Sequence, residues 1–167
     1  DFGNHVLKET QKFEKVITDK ALLKGLPQNA IDAAKQEAEQ REKEGWVFTL
    51  DFPSYQAIIK YAENRELRKE MYLAFNSKAF KGDELDNKEI VLEIAKLRHQ
   101  RAKLLGYKTH AHFVLEERMA KSPEKVKSFL EELYEKALPV AKKEQVELQL
   151  FAEKEGFKGK LQHYDLA

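Results

Sequence analysis

Cysteine is absent from this sequence. No disulfide framework, thiolate metal site or cysteine nucleophile can be built from it. Glycine (7) and proline (4) are sparse among 167 residues, which disfavours a sheet-rich fold with many tight turns. No apolar run approaches the ~20 residues of a membrane-spanning helix, and no signal peptide is visible. Neither sign of charge dominates: 30 Lys and Arg face 29 Asp and Glu, for a net +1. A general nucleic-acid or anionic-membrane binder carries a larger basic excess. The sequence also lacks an initiator Met, starting at Asp1 and ending at Leu166-Ala167. An excised internal segment is expected, so a missing targeting sequence says little about location.

What is present favours helices. Charged residues make up 35% and hydrophobic ones 42%, a balance suited to long, solvated helices. The length suffices for one domain burying roughly 70% of its unfolded surface. The expected fold class is all-α, multi-helix, with at most one short strand or hairpin near Trp46-Leu50.

Val6, Phe13 and Ile17 recur at helical spacing and predict a first helix over about Asn4 to Val16. Thr18-Asp19 can cap a short turn that Gly25 stops. Pro27 then opens a surface helix to about Glu44, with a thin stripe of Ile31, Ala34 and Ala38. Trp46, Phe48 and Leu50 alternate with Val47 and Thr49, which is strand periodicity. The expected partner is the loop around Phe157–Leu161.

Pro53-Ser54 starts a helix through Ile58 and Ile59, and another runs through Leu67, Met71 and Phe75. A long helix follows through Ile90, Ile94, Leu97 and Leu104, ending at Gly106 in a left-handed cap. Thr109 caps a short helix carrying Phe113 and Val114. Ser122-Pro123-Glu124 is a strong helix start, and the face from Val126 to Phe151 continues to about Glu155. Pro139 inside it predicts a kink or a split.

The sequence contains no catalytic signature. A zincin needs H-E-x-x-H, and none of His5, His99, His110, His112 or His163 begins that pattern. His110 and His112 are about 200° apart on a helix and cannot share one metal. His112 and Glu116, four apart, suit a surface pair better than a metal site. None of Ser54, Ser77, Ser122 or Ser128 lies in G-x-S-x-G, and Ser54 and Ser122 read as helix caps. Asp51 and Asp165 read as capping or ion-paired acids. Lys81-Gly82-Asp83 lacks the glycine spacing of a phosphate loop.

Two arginine pairs stand out. Arg65 with Arg68, and Arg98 with Arg101, are each three apart and adjacent on a helix surface. Each could bind a carboxylate or phosphate bidentately, or pair within its helix with Glu63, Glu66, Glu70 or Glu93. Trp46, Phe48, Phe52, Tyr55, Tyr61, Tyr72 and Phe75 could line a ligand groove, though at these spacings most belong to a core.

The run Gly45-Trp46 through Thr49-Leu50-Asp51 to Pro53-Ser54-Tyr55 resembles G-W-x-x-T-L-D-x-P-S-Y of the zinc metallopeptidases grouped with thimet oligopeptidase, oligopeptidase A and peptidyl-dipeptidase. Asn64, Arg65, Leu67, Arg68, Tyr72 and Ala74 match the family's N-R-x-L-R-x-x-x-Y-x-A. Further matches follow in order at Gly25-Leu26-Pro27, Leu97-Arg98-His99, Leu104-Leu105-Gly106-Tyr107 and Met119-Ala120-Lys121-Ser122-Pro123-Glu124. Leu161-Gln162-His163-Tyr164-Asp165-Leu166-Ala167 is similar to the family's L-Q-P-W-D-x-A, with His163-Tyr164 in place of Pro-Trp. The resemblance spans essentially the whole chain, and the bacterial dipeptidyl carboxypeptidase branch looks nearest.

The resemblance implies a mostly helical, cytoplasmic or periplasmic enzyme that hydrolyses short peptides, in that branch by releasing C-terminal dipeptides. One zinc would be held in the full-length parent by H-E-x-x-H and a later Glu, and none in this fragment. Residues 1–167 would then be a single helical segment, the non-catalytic portion of a larger metallopeptidase. It would supply scaffold and channel wall and be inactive alone. No catalytic or metal-ligating residue is assigned to it, and its substrate-contacting residues stay unassigned. The expected partners are short peptides, the missing catalytic half of the same chain, and further copies of the isolated segment, with no nucleic acid and no membrane. The alternative is a stand-alone helical protein-interaction module.

Overall fold

The computed structural model describes residues 1–166. Among them run α1 (Phe2–Lys12), β1 (Lys15–Ile17), a 3-10 turn (Lys20–Leu23), α2 (Gln28–Gln40), β2 (Trp46–Phe48), α3 (Phe52–Tyr61), α4 (Arg65–Asn76), α5 (Lys88–Leu104), α6 (His110–Leu115), α7 (Pro123–Lys154) and a second 3-10 turn (His163–Asp165). The fold is mostly helical with one two-stranded sheet. The chain divides into two compact units. The first holds residues 1–90 and the described residues from Gln162 on, the second Val91–Leu161.

In the first unit β2 forms where the alternating aromatics predict a strand, but its partner is β1. The two run antiparallel, with Val16 opposite Val47 and Ile17 opposite Trp46. The helix expected over Asn4 to Val16 therefore ends early: Phe13 is already extended at φ −75°, ψ 131°. Ile17, only 1% exposed, gains more by pairing in the sheet and entering the core than by prolonging α1.

Ala34 and Ala38 of α2 are buried, and α2 packs on β2 through this small-residue stripe. Pro27 is the N-cap of α2, one place before the first helical position. Arg41 ends the helix and donates to Glu37 at 2.6 Å and to Glu14 at 3.4 Å. The charged run after Lys35 is thus partly spent on holding the α1–β1 connection. Phe48, Leu50, Ile58, Leu67 and Met71 complete a core that joins the sheet to α3 and α4. The Asn64 side chain accepts the Leu67 amide at 2.9 Å and caps α4.

In the second unit α5 ends as expected. Gly106 has φ +84°, and the Tyr107 amide reaches back to the Ala102 carbonyl at 2.8 Å. Thr109 caps α6, and Ser122 caps α7 by accepting the Lys125 amide at 3.2 Å. Pro139 does not split α7, which stays one helix of 32 residues. The 157–161 loop, expected to pair with the strand, is tied instead to Gln149. The Gln149 amide group donates to the Gly159 carbonyl at 2.9 Å and accepts from the Leu161 amide at 2.9 Å.

Candidate functional site

A dense polar constellation of the first unit gathers at the start of α4. Arg65 and Arg68 lie on one helix face and both reach Asp165. Arg65 Nε and Nη2 contact its two carboxylate oxygens at 3.0 and 2.9 Å, and Arg68 Nη2 reaches Oδ1 at 2.9 Å. Arg68 also donates to the Ala62, Glu63 and Tyr164 carbonyls at 2.7, 3.2 and 2.9 Å. The Arg65 guanidinium stands 5.0 Å from the Tyr164 ring centre. Tyr72 of α4 meets the His163 and Tyr164 rings at 6.3 and 5.9 Å.

The Asp165 side chain is only 3% exposed. Burial pushes its carboxyl upward, but hydrogen bonds from Arg65, the Gln162 amide and Arg68 outweigh this and hold it below the usual carboxylate range. The bidentate chemistry expected of the arginine pair is therefore present, with the chain's own carboxylate as ligand. Neither Glu66 nor Glu70 takes that place: Glu66 pairs with Lys69, and Glu70 with Lys15.

The second arginine pair behaves differently. Arg101 stacks over Phe113 at 5.0 Å. His112 does not meet Glu116: its Nδ1 lies 2.7 Å from the Thr109 hydroxyl and its Nε2 3.4 Å from Glu124. Glu116 instead accepts from the Tyr107 hydroxyl, which is held above its ordinary range by that bond.

Lys81-Gly82-Asp83 offers no free anion cradle. The Gly82 amide donates to Asp86 at 2.6 Å, and Lys81 pairs with buried Glu9. Ser54 is not a cap of α3 but accepts the buried Thr49 amide at 2.9 Å. Asp51 takes the N-cap position of α3 without a capping bond from its side chain, and accepts the Thr49 hydroxyl at 3.0 Å.

The aromatic set divides. Phe48 is core, whereas Phe52 is 62% exposed. Tyr55 stacks on Phe75 at 4.0 Å, and Lys78 sits 3.6 Å over the Phe75 ring. Burial lowers the pKa of Lys78 against the opposing pull of Asp51. A groove of about 550 Å³ lies between α2 and α3, floored by Phe48 and Thr49 and edged by Ala30, Ala33, Lys60 and Tyr61. In the second unit an apolar groove of about 630 Å³ between α6 and α7 is lined by Leu115, Val126, Leu130 and Tyr134.

Among the described residues no three His, Asp or Glu side chains come together in a way that could hold a metal ion. The zinc implied by the resemblance does not fit this chain's own residues. Nor is any helix among them long and apolar enough to cross a membrane.

Comparison with known proteins gives these elements a family. The model of peptidase family M3 matches residues 58–167, which takes in α4 to α7 and the arginine pair. The chain belongs to peptidase family M3. It is 41% identical over 170 residues to oligopeptidase A of Salmonella typhimurium, covering 99% of this chain and 25% of that protein. Oligopeptidase A of Escherichia coli K12 is 39% identical over the same shares. Dipeptidyl carboxypeptidase of Salmonella typhimurium is 28% identical over 149 residues, 89% of this chain and 22% of that protein. The chain thus spans about a quarter of the length of the curated relatives it matches.

Proposed function

We propose that this chain is a non-catalytic helical portion of a zinc-dependent oligopeptidase that hydrolyses short peptides, and that it supplies scaffold and substrate-channel wall. The observation that carries this reading is the likeness to oligopeptidase A along 99% of the chain. Zinc would be bound by residues outside this sequence. A cytoplasmic site of action, peptides as the binding partners, and no role for nucleic acid or membrane belong to the same reading.

Purified chain given zinc and short peptides is expected to show no hydrolysis above blank. The whole protein is expected to cleave them and to lose activity to a chelator. Chelator-sensitive turnover by the 167 residues alone would overturn the assignment.

Release of C-terminal dipeptides is the finer reading. It rests on the 28% identity to dipeptidyl carboxypeptidase, against 41% to oligopeptidase A. Peptides with an amidated C-terminus separate the two, because an enzyme that needs a free terminal carboxylate leaves them intact.

The second reading, a helical interaction module, is favoured by α7. That helix has no buried residue and exposes Phe129, Leu133, Val140, Leu150 and Phe151. Such a surface seeks cover, from the rest of a longer protein or from other copies of the segment. Sedimentation of the isolated chain is expected to show concentration-dependent self-association. A reading frame that continues into H-E-x-x-H selects the peptidase; one that stops near Ala167 selects the module.

A further inference from the structure

We infer that the Arg65–Arg68 pair is a built carboxylate-binding site which this chain fills with its own Asp165, and that a small free monocarboxylate takes the same place once that side chain is removed. The inference does not depend on the peptidase reading.

Three features of the site support it. Both oxygens of the carboxylate are engaged by guanidinium groups: Oδ1 by Arg65 at 3.0 Å and Arg68 at 2.9 Å, Oδ2 by Arg65 at 2.9 Å. The Gln162 amide adds a further donor to Oδ2 at 3.0 Å. This is a planar, two-oxygen receptor of the kind guanidinium forks recognise.

The Arg68 half of the receptor is also held independently of the Asp165 carboxylate. Arg68 is anchored by the Ala62 and Glu63 carbonyls in the turn between α3 and α4, and Ala62 is 3% exposed. Removing the Asp165 carboxylate leaves those bonds in place.

The ligand arrives from far along the chain. Asp165 is 97 residues from Arg68 and 100 from Arg65, on a segment seated separately through Tyr164. Its carbonyl accepts from Arg68, and its ring packs edge-on against Tyr72. Truncation at Asp165 therefore opens a hole of carboxylate shape between two cations, while the Tyr164 contacts that seat the segment remain.

The test uses the full chain with Asp165→Ala, Asp165→Asn, and Asp165→Ala combined with Arg68→Ala, melted in acetate, formate, chloride or phosphate at matched ionic strength. Asp165→Ala is expected to lower the melting temperature on the order of 10 °C in chloride. Acetate and formate are expected to restore most of that loss with saturable dependence on concentration. Asp165→Asn is expected to gain nothing, because its amide fills the hole, and the Arg68→Ala double variant is expected to lose the rescue.

Acetate acting no better than chloride, phosphate acting as well as acetate, or equal rescue of all three variants would overturn the assignment. If Asp165→Ala does not fold in chloride, its refolding yield becomes the readout. Recovery in acetate supports the site; failure in both salts refutes it.

Discussion

Gly45 approaches Ile17 so closely that a β-carbon placed on it would lie 2.1 Å from the Ile17 carbonyl oxygen. The contact lies where the turn into β2 meets the end of β1, and Gly45 has φ +89°. The glycine of the G-W motif is thus required twice, by its backbone conformation and by the strand beside it. Gly45→Ala is expected to cost at least about 2 kcal/mol. Urea unfolding followed by circular dichroism measures this, and an unchanged midpoint would contradict the account.

Ser54 completes the backbone just after the strand. Its hydroxyl is the acceptor for the Thr49 amide at 2.9 Å, and Thr49 is 4% exposed. Ser54→Ala leaves that buried N–H without its partner, at a cost of about 1–3 kcal/mol. Hydrogen exchange at the Thr49 amide is expected to accelerate in the variant. Protection equal to that of the parent would mean that another acceptor serves it.

Met71 is fully buried on the face of α4 that meets the sheet and α3. Met71→Ala is expected to destabilise by about 2–5 kcal/mol through lost burial and the cavity left behind. Leu73, on the same helix but 54% exposed, is expected to tolerate alanine within roughly 0.5 kcal/mol. Parallel denaturant titrations of the two variants test the contrast.

Asp165 gives the fold an acid-sensitive contact. Its carboxyl in the folded chain is held below the ordinary carboxylate value. The stabilisation is therefore complete above that value and is lost as pH falls through the lower, folded one. The stability gap between the parent and Asp165→Asn is expected to be largest near neutrality and to shrink in acid. Urea titrations at about pH 7 and about pH 3 check the sign, and a gap that widens in acid would reverse it.

Much of the local architecture is legible in the residues. Ser122-Pro123-Glu124 reads as a helix start because the cap, the proline and the acid act on their own neighbours, and Ser122 caps α7 as read. Gly106 reads as a helix end for the same reason, and it holds the positive φ expected. Trp46 and Phe48 read as strand because alternation is a property of the segment itself. What the pattern of β2 does not carry is its partner. Lys15–Ile17 is short, and with Val6 and Phe13 it also satisfies helical spacing, so β1 is recognisable only through its pairing with β2.

The arginine site divides along the same line. The spacing of Arg65 and Arg68 by itself determined that two guanidinium groups share one face of α4, because a three-residue step is built into helical geometry. It also determined that a carboxylate or phosphate suits them. That the carboxylate is Asp165, and that the glutamates nearby have other partners, was decided by tertiary structure alone. A contact closing 100 residues of chain depends on where every intervening helix leads, and no local propensity encodes that path.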